Sequence, residues 1–349
     1  MNKKKYLTTP FQLGNIELPN NIFYAPLAGC SDFPFRKMSS SYRPGLIFCE
    51  MVKMDALIRH DRGTFHILDY DRSMHPIGGQ LCGSNPKIAG DAARILQDLG
   101  FDTIDLNCGC PVDKITKDGS GSGLLKNPQL IGELICNIKA AVKIPVTVKI
   151  RAGWDEKSIN APEITKIAEA AGADAICIHG RTRMQAYKGP ANWDYIKACV
   201  EVAKSIKVIG NGDIFDADSA LRMFEYTGCD AVLVSRGTLG QPWIVEDIIR
   251  LLSGEPPIER SFEHNRQALY NHFLHTIGYQ TPKKVAIDMR RVGCWYFKKC
   301  AASRSFREKI SKAENLEIVK NLILDFHIPE ATEASPEVEV SDECAECNG

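Results

Sequence analysis

KVIGNGDIFDADSALRMFEYTGCDAVLVSRGT, residues 207–238, alternates strand, helix and strand. KVIGNGD (207–213) and AVLVSRGT (231–238) are short apolar runs, while DADSALRMFEYTGC between them opens on Asp, spaces its apolar residues helically and closes near a Gly. Upstream, runs of the same strand type are NIFYAPLAG (21–29), LIFCEMV (46–52), PIGGQLCG (76–83), TIDLNCG (103–109), VTVKIRAG (146–153) and AICIHGRT (175–182), which makes eight. NPKIAGDAARILQDLG, NPQLIGELICNIKAAV and APEITKIAEAAGA supply helical patterns between the later ones. Strand–helix alternation repeated eight times predicts an α/β fold, a (β/α)8 TIM barrel. A doubly wound open sheet is the alternative, weakened because no G-x-G-x-x-G follows the first strand.

After Trp243 the strand patterns stop, and helical segments over 243–252, 262–278, 283–301 and 313–326 predict a small all-α domain. The division is a barrel over 1–245, a helical domain over 246–328 and a tail over 329–349. That tail, PEATEASPEVEVSDECAECNG, has seven acidic residues and no Lys or Arg, which predicts disorder. Cys344 and Cys347 have the spacing of half a zinc site, but no second ligand pair stands near them, so no metal is expected.

At 349 residues the chain can bury a large core. The start, MNKKKYLTTPFQLGN, is basic without an apolar stretch behind it, and no run reaches the roughly 18 apolar residues of a membrane span. Neither secretion nor membrane insertion is expected. Most of the thirteen cysteines sit singly in apolar runs, where a reduced thiol behaves as a small hydrophobe, so a reducing cytoplasm is expected. No protein partner is legible, and a monomer is expected.

Lys plus Arg and Asp plus Glu balance at 43 each, so no global charge argues for a nucleic-acid partner. Locally the balance breaks: Arg260–Lys312 holds twelve basic and three acidic residues, a net +9 in a neutral chain. Lys283/Lys284, Arg290/Arg291 and Lys298/Lys299 recur at intervals of seven and eight, which keeps them on one side of a helix. The other side would pack through Val285, Ile287, Val292, Trp295 and Tyr296. Such a stripe is either a solvated face or a surface for a phosphate backbone.

Barrel chemistry gathers where the strands end. In TIDLNCG, alternation directs Ile104, Leu106 and Cys108 toward the helices and Asp105 and Asn107 into the barrel. Cys110 follows Gly109 and precedes Pro111, which places it in an extended loop start at the mouth. A thiol with a pKa near about 8.5 is mostly protonated at neutral pH and suits a general acid, although spacing alone leaves catalytic and structural roles open. Lys149 and Arg151 point inward on the fifth strand, and inward cations need anionic partners, either an internal carboxylate or a bound anionic cofactor. NGD (211–213) and SRG (235–237) lie at the two strand ends where barrels commonly bind phosphate.

APLAG (25–29), GGQLCG (78–83), DLNCGCP (105–111), VKIR (148–151), HGRTRMQAYKGPANW (179–193), GNGDI (210–214) and SRGTLGQPW (235–243) resemble, in order and spacing, the tRNA-dihydrouridine synthases. The resemblance spans residues 14 to 310. It implies a flavin enzyme that reduces the C5–C6 bond of uridines in the tRNA D loop, with FMN bound in the barrel and NADPH as reductant. Carried over position by position, it puts Pro26, Leu27 and Ala28 beneath the flavin, Gln80 at its ring edge, and Lys149 and His179 at its polar edge. Asn211, Gly212, Asp213, Ser235 and Arg236 match the phosphate-binding ends; Ser235 stands where the family often has Gly. Cys110 matches the proton donor to C5, with hydride going from flavin to C6, and an ammonium at position 149 favours the anionic reduced flavin. Asn107, Arg181, Arg183, Gln185 and Tyr187 match substrate-facing positions, where guanidiniums hold phosphates and an aromatic ring stacks on a displaced base. Arg290 and Arg291 fall in the helical domain that, by resemblance, binds tRNA. VDKITKDGSGSG (112–123), next to Cys110, is either a lid that carries the acid or a plain connection. Two other readings remain in view: a dihydroorotate dehydrogenase-like enzyme acting on a free pyrimidine, and a non-catalytic tRNA-binding protein.

Overall fold

A computed structural model of the chain describes residues 3–298 and 303–327. Eight parallel strands form its centre: β1 (Ile22–Tyr24), β2 (Leu46–Phe48), β3 (Ile77–Cys82), β4 (Thr103–Cys108), β5 (Val146–Arg151), β6 (Ala175–His179), β7 (Lys207–Asn211) and β8 (Ala231–Val234). Neighbours run β2-β1-β8-β7-β6-β5-β4-β3, and β2 also pairs with β3 through Ile47 and Ile77, so the sheet closes on itself as a TIM barrel. Every strand lies inside a run expected from the sequence. An antiparallel hairpin, Phe11–Leu13 with Ile16–Leu18, stoppers the end where the strands begin, and Phe11 packs edge-on against Phe23 there.

The first barrel helix is α1 (Phe33–Ser40), and two short helices, 54–58 and 62–67, occupy the connection from β2 to β3. The outer ring continues with α2 (Pro86–Asp98), α3 (Pro128–Ala141), α4 (Ala161–Ala170), α5 (Asp194–Val202) and α6 (Ala217–Thr227). Local chemistry explains their starts. Asn85 and Asn127 cap α2 and α3 with proline in the first turn, and Asp216 and Ser219 form a reciprocal capping box on α6. Period-two alternation in β4 sends Ile104, Leu106 and Cys108 into the layer packed by Ala92, Leu96, Ile131 and Leu134, all fully buried.

The division expected at 245 falls later. In α7 (Ile244–Ser253), Val245, Ile248 and Leu252 join the barrel core, so this helix completes the outer ring before Gly254 turns the chain away. The helical domain comprises α8 (Phe262–Ile277), α9 (Pro282–Tyr296), α10 (Arg304–Ile310) and α11 (Leu316–Leu324) around Leu269, Phe273, Met289, Phe306 and Ile323. Helix α10 has no counterpart in the sequence-based segments. Seven residues are too few to be helical alone, and burial of Phe306 and Ile310 supplies the missing stability. Tyr279 joins the domains by stacking on Phe33 and His66 while its hydroxyl donates to Asp69 at 2.7 Å.

One packing expectation fails on α9. Its buried face is Val285, Ala286, Met289, Val292 and Tyr296, whereas Ile287 is 48% exposed. Residues 283, 287 and 291 recur every four positions and share one helix face, so Ile287 is carried outward between Lys283 and Arg291. Lys299, the tail 329–349 and Cys344/Cys347 lie outside the described residues.

Candidate active site

Three adjacent strands set the first layer of the mouth. Gln80 on β3 is in register with Asp105 on β4, which is in register with Thr147 on β5. Thr147 Oγ1 donates to Asp105 Oδ1 at 2.5 Å, and Gln80 Nε2 donates to Asp105 Oδ2 at 2.7 Å. Asn107 Nδ2 donates to Gln80 Oε1 at 2.8 Å, while Asn107 Oδ1 accepts from the backbone N–H groups of Gly109 at 3.1 Å and Cys110 at 2.9 Å. Asn107 therefore shapes the turn that carries Cys110. From the far side, Ser122 donates twice to the Cys110 carbonyl, and Gly121, at φ +57, sits so close that a side chain there would meet Cys110 and Ile115.

Cys110 is half-buried at the mouth and Cys108 is fully buried among the outer core residues. Burial pushes the Cys110 thiol up from its ordinary value, with the backbone N–H of Val112 and the charges of Arg151 and Lys149 opposing, so it holds its proton at neutral pH. Beside it on β5, Lys149 makes no hydrogen bond or ion pair among the described residues, and burial lowers its pKa. Arg151 resolves differently from either expectation for the pair. Its guanidinium donates to the carbonyls of Gly109 (2.9 Å), Thr182 (2.9 Å) and Ala186 (2.8 Å), tying the β4 and β6 loops to β5. His179, at the end of β6, is held well below the usual imidazole range, first by burial and then by the positive charge of Arg151, Lys149 and Arg181; its ring is neutral.

The β7 and β8 ends form the other half. Asn211 Nδ2 donates to the Leu233 carbonyl at 2.7 Å and to Ser235 Oγ at 2.9 Å. Asp213, which the resemblance matches to the phosphate-binding end of β7, engages its side chain with the protein. Its carboxylate accepts two bonds from Arg181 at 2.8 Å, one from the Ala191 N–H at 2.7 Å and a long one from Arg236 at 3.3 Å. Arg181 is corrected: 3% exposed, doubly held by Asp213 and bonded to the Gly189 carbonyl, it braces the β6 loop instead of facing substrate. A buried guanidinium takes a fixed carboxylate because an unpaired one is costly. Arg236 is held less tightly: among the described residues it has the long contact to Asp213 and lies over Tyr187 (4.8 Å) and Phe215 (5.3 Å).

Along the β6 loop, Gln185, half-buried, accepts at Oε1 from the Thr182 N–H at 2.8 Å, which closes the turn. Tyr187 is half-exposed above His179 and Arg236. Arg183 pairs with Asp113 of the Cys110 loop and lies over Trp154 at 4.7 Å, and Lys126 covers the same ring at 3.5 Å. Pro26, Leu27 and Ala28 form the turn after β1, with Pro26 and Leu27 half-buried and Ala28 exposed. Gly29, next in that turn, donates to Glu50 at 2.6 Å and accepts from Arg291 on α9. Arg290 turns the other way, its Nε donating to the Ala313 carbonyl at 2.8 Å inside the helical domain, so the two neighbours do not form one outward pair. Sequence patterning passed over Thr147, Asp113 and Trp154. The same alternation that directs Lys149 inward also directs Thr147 inward, so that one was findable; the other two are contacts between distant loops.

The donor set fits a planar cofactor with one anionic edge and a phosphate. Lys149 is half-buried without a hydrogen-bond or ion-pair partner among the described residues, Arg236 at the β8 end has one long ion-pair contact, and the β1 turn offers an apolar floor. Among the described residues no cluster of His, Cys, Asp and Glu suits a metal ion, and no helix is long and apolar enough to cross a membrane.

The family model described as Dihydrouridine synthase (Dus) matches residues 23–331. A probable tRNA-dihydrouridine synthase of Rickettsia bellii (strain RML369-C) is 36% identical over 90% of this chain and 97% of its own length. The tRNA-dihydrouridine synthase B of Pasteurella multocida (strain Pm70) is 34% identical over 85% and 90%. Among solved structures, morphinone reductase superposes with a TM-score of 0.52 at 14% identity, covering 73% of this chain and 91% of that one. Histamine dehydrogenase from Rhizobium sp. 4-9 gives 0.55 at 16% identity, covering 78% of this chain, which spans about half (51%) of that longer protein. At such identities the structural likeness shows the barrel fold alone, whereas the sequence match runs through the strand ends just described: the chain belongs to the dihydrouridine synthase family.

Proposed function

We propose that this protein is a cytoplasmic, monomeric tRNA-dihydrouridine synthase, reducing the C5–C6 double bond of uridines in the tRNA D loop with FMN as cofactor and NADPH as reductant. Lys149, Gln80 and His179 would hold the polar edge of FMN, the Pro26–Ala28 turn its apolar face, and Asn211, Gly212, Ser235 and Arg236 its phosphate. Bound there, FMN would supply hydride-transfer chemistry toward C6 of the uracil. Cys110 keeps a proton ready for C5 because burial holds the thiol in its neutral form. Asn107 holds the turn that aims this thiol, and Arg151 fixes the same turn through the Gly109 carbonyl. His179, being neutral, can exchange a hydrogen bond with an approaching ring without adding charge. Tyr187 offers a half-exposed ring for a displaced base, and Arg183, Lys283 and Arg291 offer cations to the phosphate backbone.

The observation that carries this reading is the placement of Cys110, just after β4, beside Lys149 on the adjacent β5, which has no hydrogen-bond or ion-pair partner among the described residues, in a chain of this family. The test is purification followed by absorbance, flavin identification by mass, and dihydrouridine formation in tRNA with NADPH. A yellow protein bearing FMN that converts tRNA uridine supports it. A colourless protein that binds tRNA, or one that turns over dihydroorotate, replaces it with one of the other two readings.

A further inference from the structure

We infer that Trp295, with Arg291 one turn before it on α9, is a positioning residue for the turn Pro26–Gly29, so that the helical domain holds one wall of the flavin site. The inference rests on the reading of that turn as the apolar face against FMN. Bonds within the turn fix its internal shape. The Leu27 carbonyl accepts from the N–H groups of Cys30 and Ser31, both at 2.8 Å, and the Leu27 N–H donates to Ser31 Oγ at 2.8 Å. Where the turn stands over the mouth is set by other elements. Glu50, just after β2, accepts from the Gly29 N–H at 2.6 Å, and Arg291 donates to the Gly29 carbonyl. Leu27 of the turn and Trp295 of α9 pack on one buried cluster, Cys30, Phe35 and Leu239. Trp295 also packs on the helical-domain core, and the Arg291 guanidinium lies over its ring at 5.2 Å.

The β8 loop meets the same residue. Gly240, buried at φ +77, follows the Ser235–Leu239 segment, and a side chain there would collide with the Trp295 carbonyl. Backbone and side chain of Trp295 thus abut the β8 loop and the cluster that carries Leu27, the two segments assigned to the phosphate and to the ring. A residue that only filled the helical-domain core would change stability and leave the turn in place. The two α9 contacts differ in weight. Gly29 is exposed, so water can replace Arg291 at its carbonyl at little cost, whereas truncating Trp295 removes apolar surface from the cluster on which the turn rests.

The experiment titrates FMN into the full chain without tRNA, read by flavin fluorescence, beside urea unfolding and hydrogen exchange of the Leu27, Cys30 and Ser31 amides before FMN is added. Trp295→Ala should weaken FMN binding by about 10-fold or more and speed exchange in the turn, and Arg291→Gln should act in the same direction by about 2–3-fold. Leu322→Ala is the control: half-buried on α11 and packed on the same domain core, it should lower stability while both readouts stay within about 2-fold of the parent. Unchanged FMN affinity in Trp295→Ala, or an equal loss in Leu322→Ala, overturns the inference. If Trp295→Ala does not fold, Trp295→Phe keeps most of the packing and should weaken FMN binding by about 3-fold; unchanged affinity there overturns it as well. A parent chain that binds no FMN sinks the flavin reading by itself. Exchange in the turn then decides the α9 contact alone, faster exchange in Trp295→Ala supporting it and unchanged exchange overturning it.

Discussion

The barrel mouth and the α9 face are both basic, but their cations do different physical work. Arg151 and Arg181 at the mouth are buried, and each is held by fixed partners, three backbone carbonyls for the first and Asp213 with the Gly189 carbonyl for the second. Lys283 and Arg291 on α9 are exposed, and Arg291 donates to the Gly29 carbonyl and lies over the Trp295 ring. A buried guanidinium with all its donors engaged stiffens loops and has little left for a ligand; an exposed one pays little desolvation when it meets a phosphate. Basic residues in a nucleic-acid enzyme therefore divide by burial more than by position in a motif.

The largest expected effect lies at the mouth. Cys110→Ala should lower single-turnover uridine reduction by ~10²–10⁴-fold with reduction of the enzyme by NADPH retained, the usual loss for a positioned general acid. Cys108→Ala should keep its rate and lose only stability. Equal kinetic defects in the two variants would remove the distinction between the acting and the packed thiol.

Next comes the scaffold arginine. Arg181→Ala strands the Asp213 carboxylate, itself about a quarter exposed (23%), without its double partner and should lower unfolding free energy by about 2–4 kcal/mol in urea titration. A variant as stable as the parent but impaired in tRNA binding would return Arg181 to the substrate surface and break the comparison.

The pH profile sharpens it at smaller scale. The thiol acts protonated and burial has moved its pKa upward, so uridine reduction should hold through neutral pH and fall about 10-fold per unit once pH passes the raised value. A rate that climbs with pH over that range would mean the thiolate is the active form.

The smallest effects belong to α9. Arg291→Ala should weaken tRNA binding and reduce the slope of log affinity against log salt by about 1, as for one lost phosphate contact. Arg290→Ala should leave that slope alone and cost about 1 kcal/mol of stability, because its partner is the Ala313 carbonyl. Identical salt slopes in both variants would place the tRNA contacts elsewhere.

Much of this was legible along the chain. The eight strands, the inward Asp105 and Asn107, the packed Cys108 and the mouth position of Cys110 all follow from period-two alternation and from glycine and proline punctuation. Misplaced expectations share a feature. Arg181 and Gln185 were matched to substrate-facing positions, yet each finds a partner inside the protein, Arg181 across 32 residues of sequence. Ile287 was assigned inward for being apolar, but helix geometry places it on the face of Lys283 and Arg291.

Sequence by itself determined the barrel, the appended helices, the family and the thiol at the strand end, because these depend on local periodicity and on contiguous motifs. Tertiary structure alone decided which polar groups are free. Arg151 and Arg236 are the same residue type at the ends of β5 and β8, yet one is bound by three carbonyls from two loops and the other has, among the described residues, one long polar contact and two aromatic neighbours. Availability is a property of what folding brings within about 3 Å, and hydrogen-bond partners contributed by distant loops leave no periodic trace in the chain.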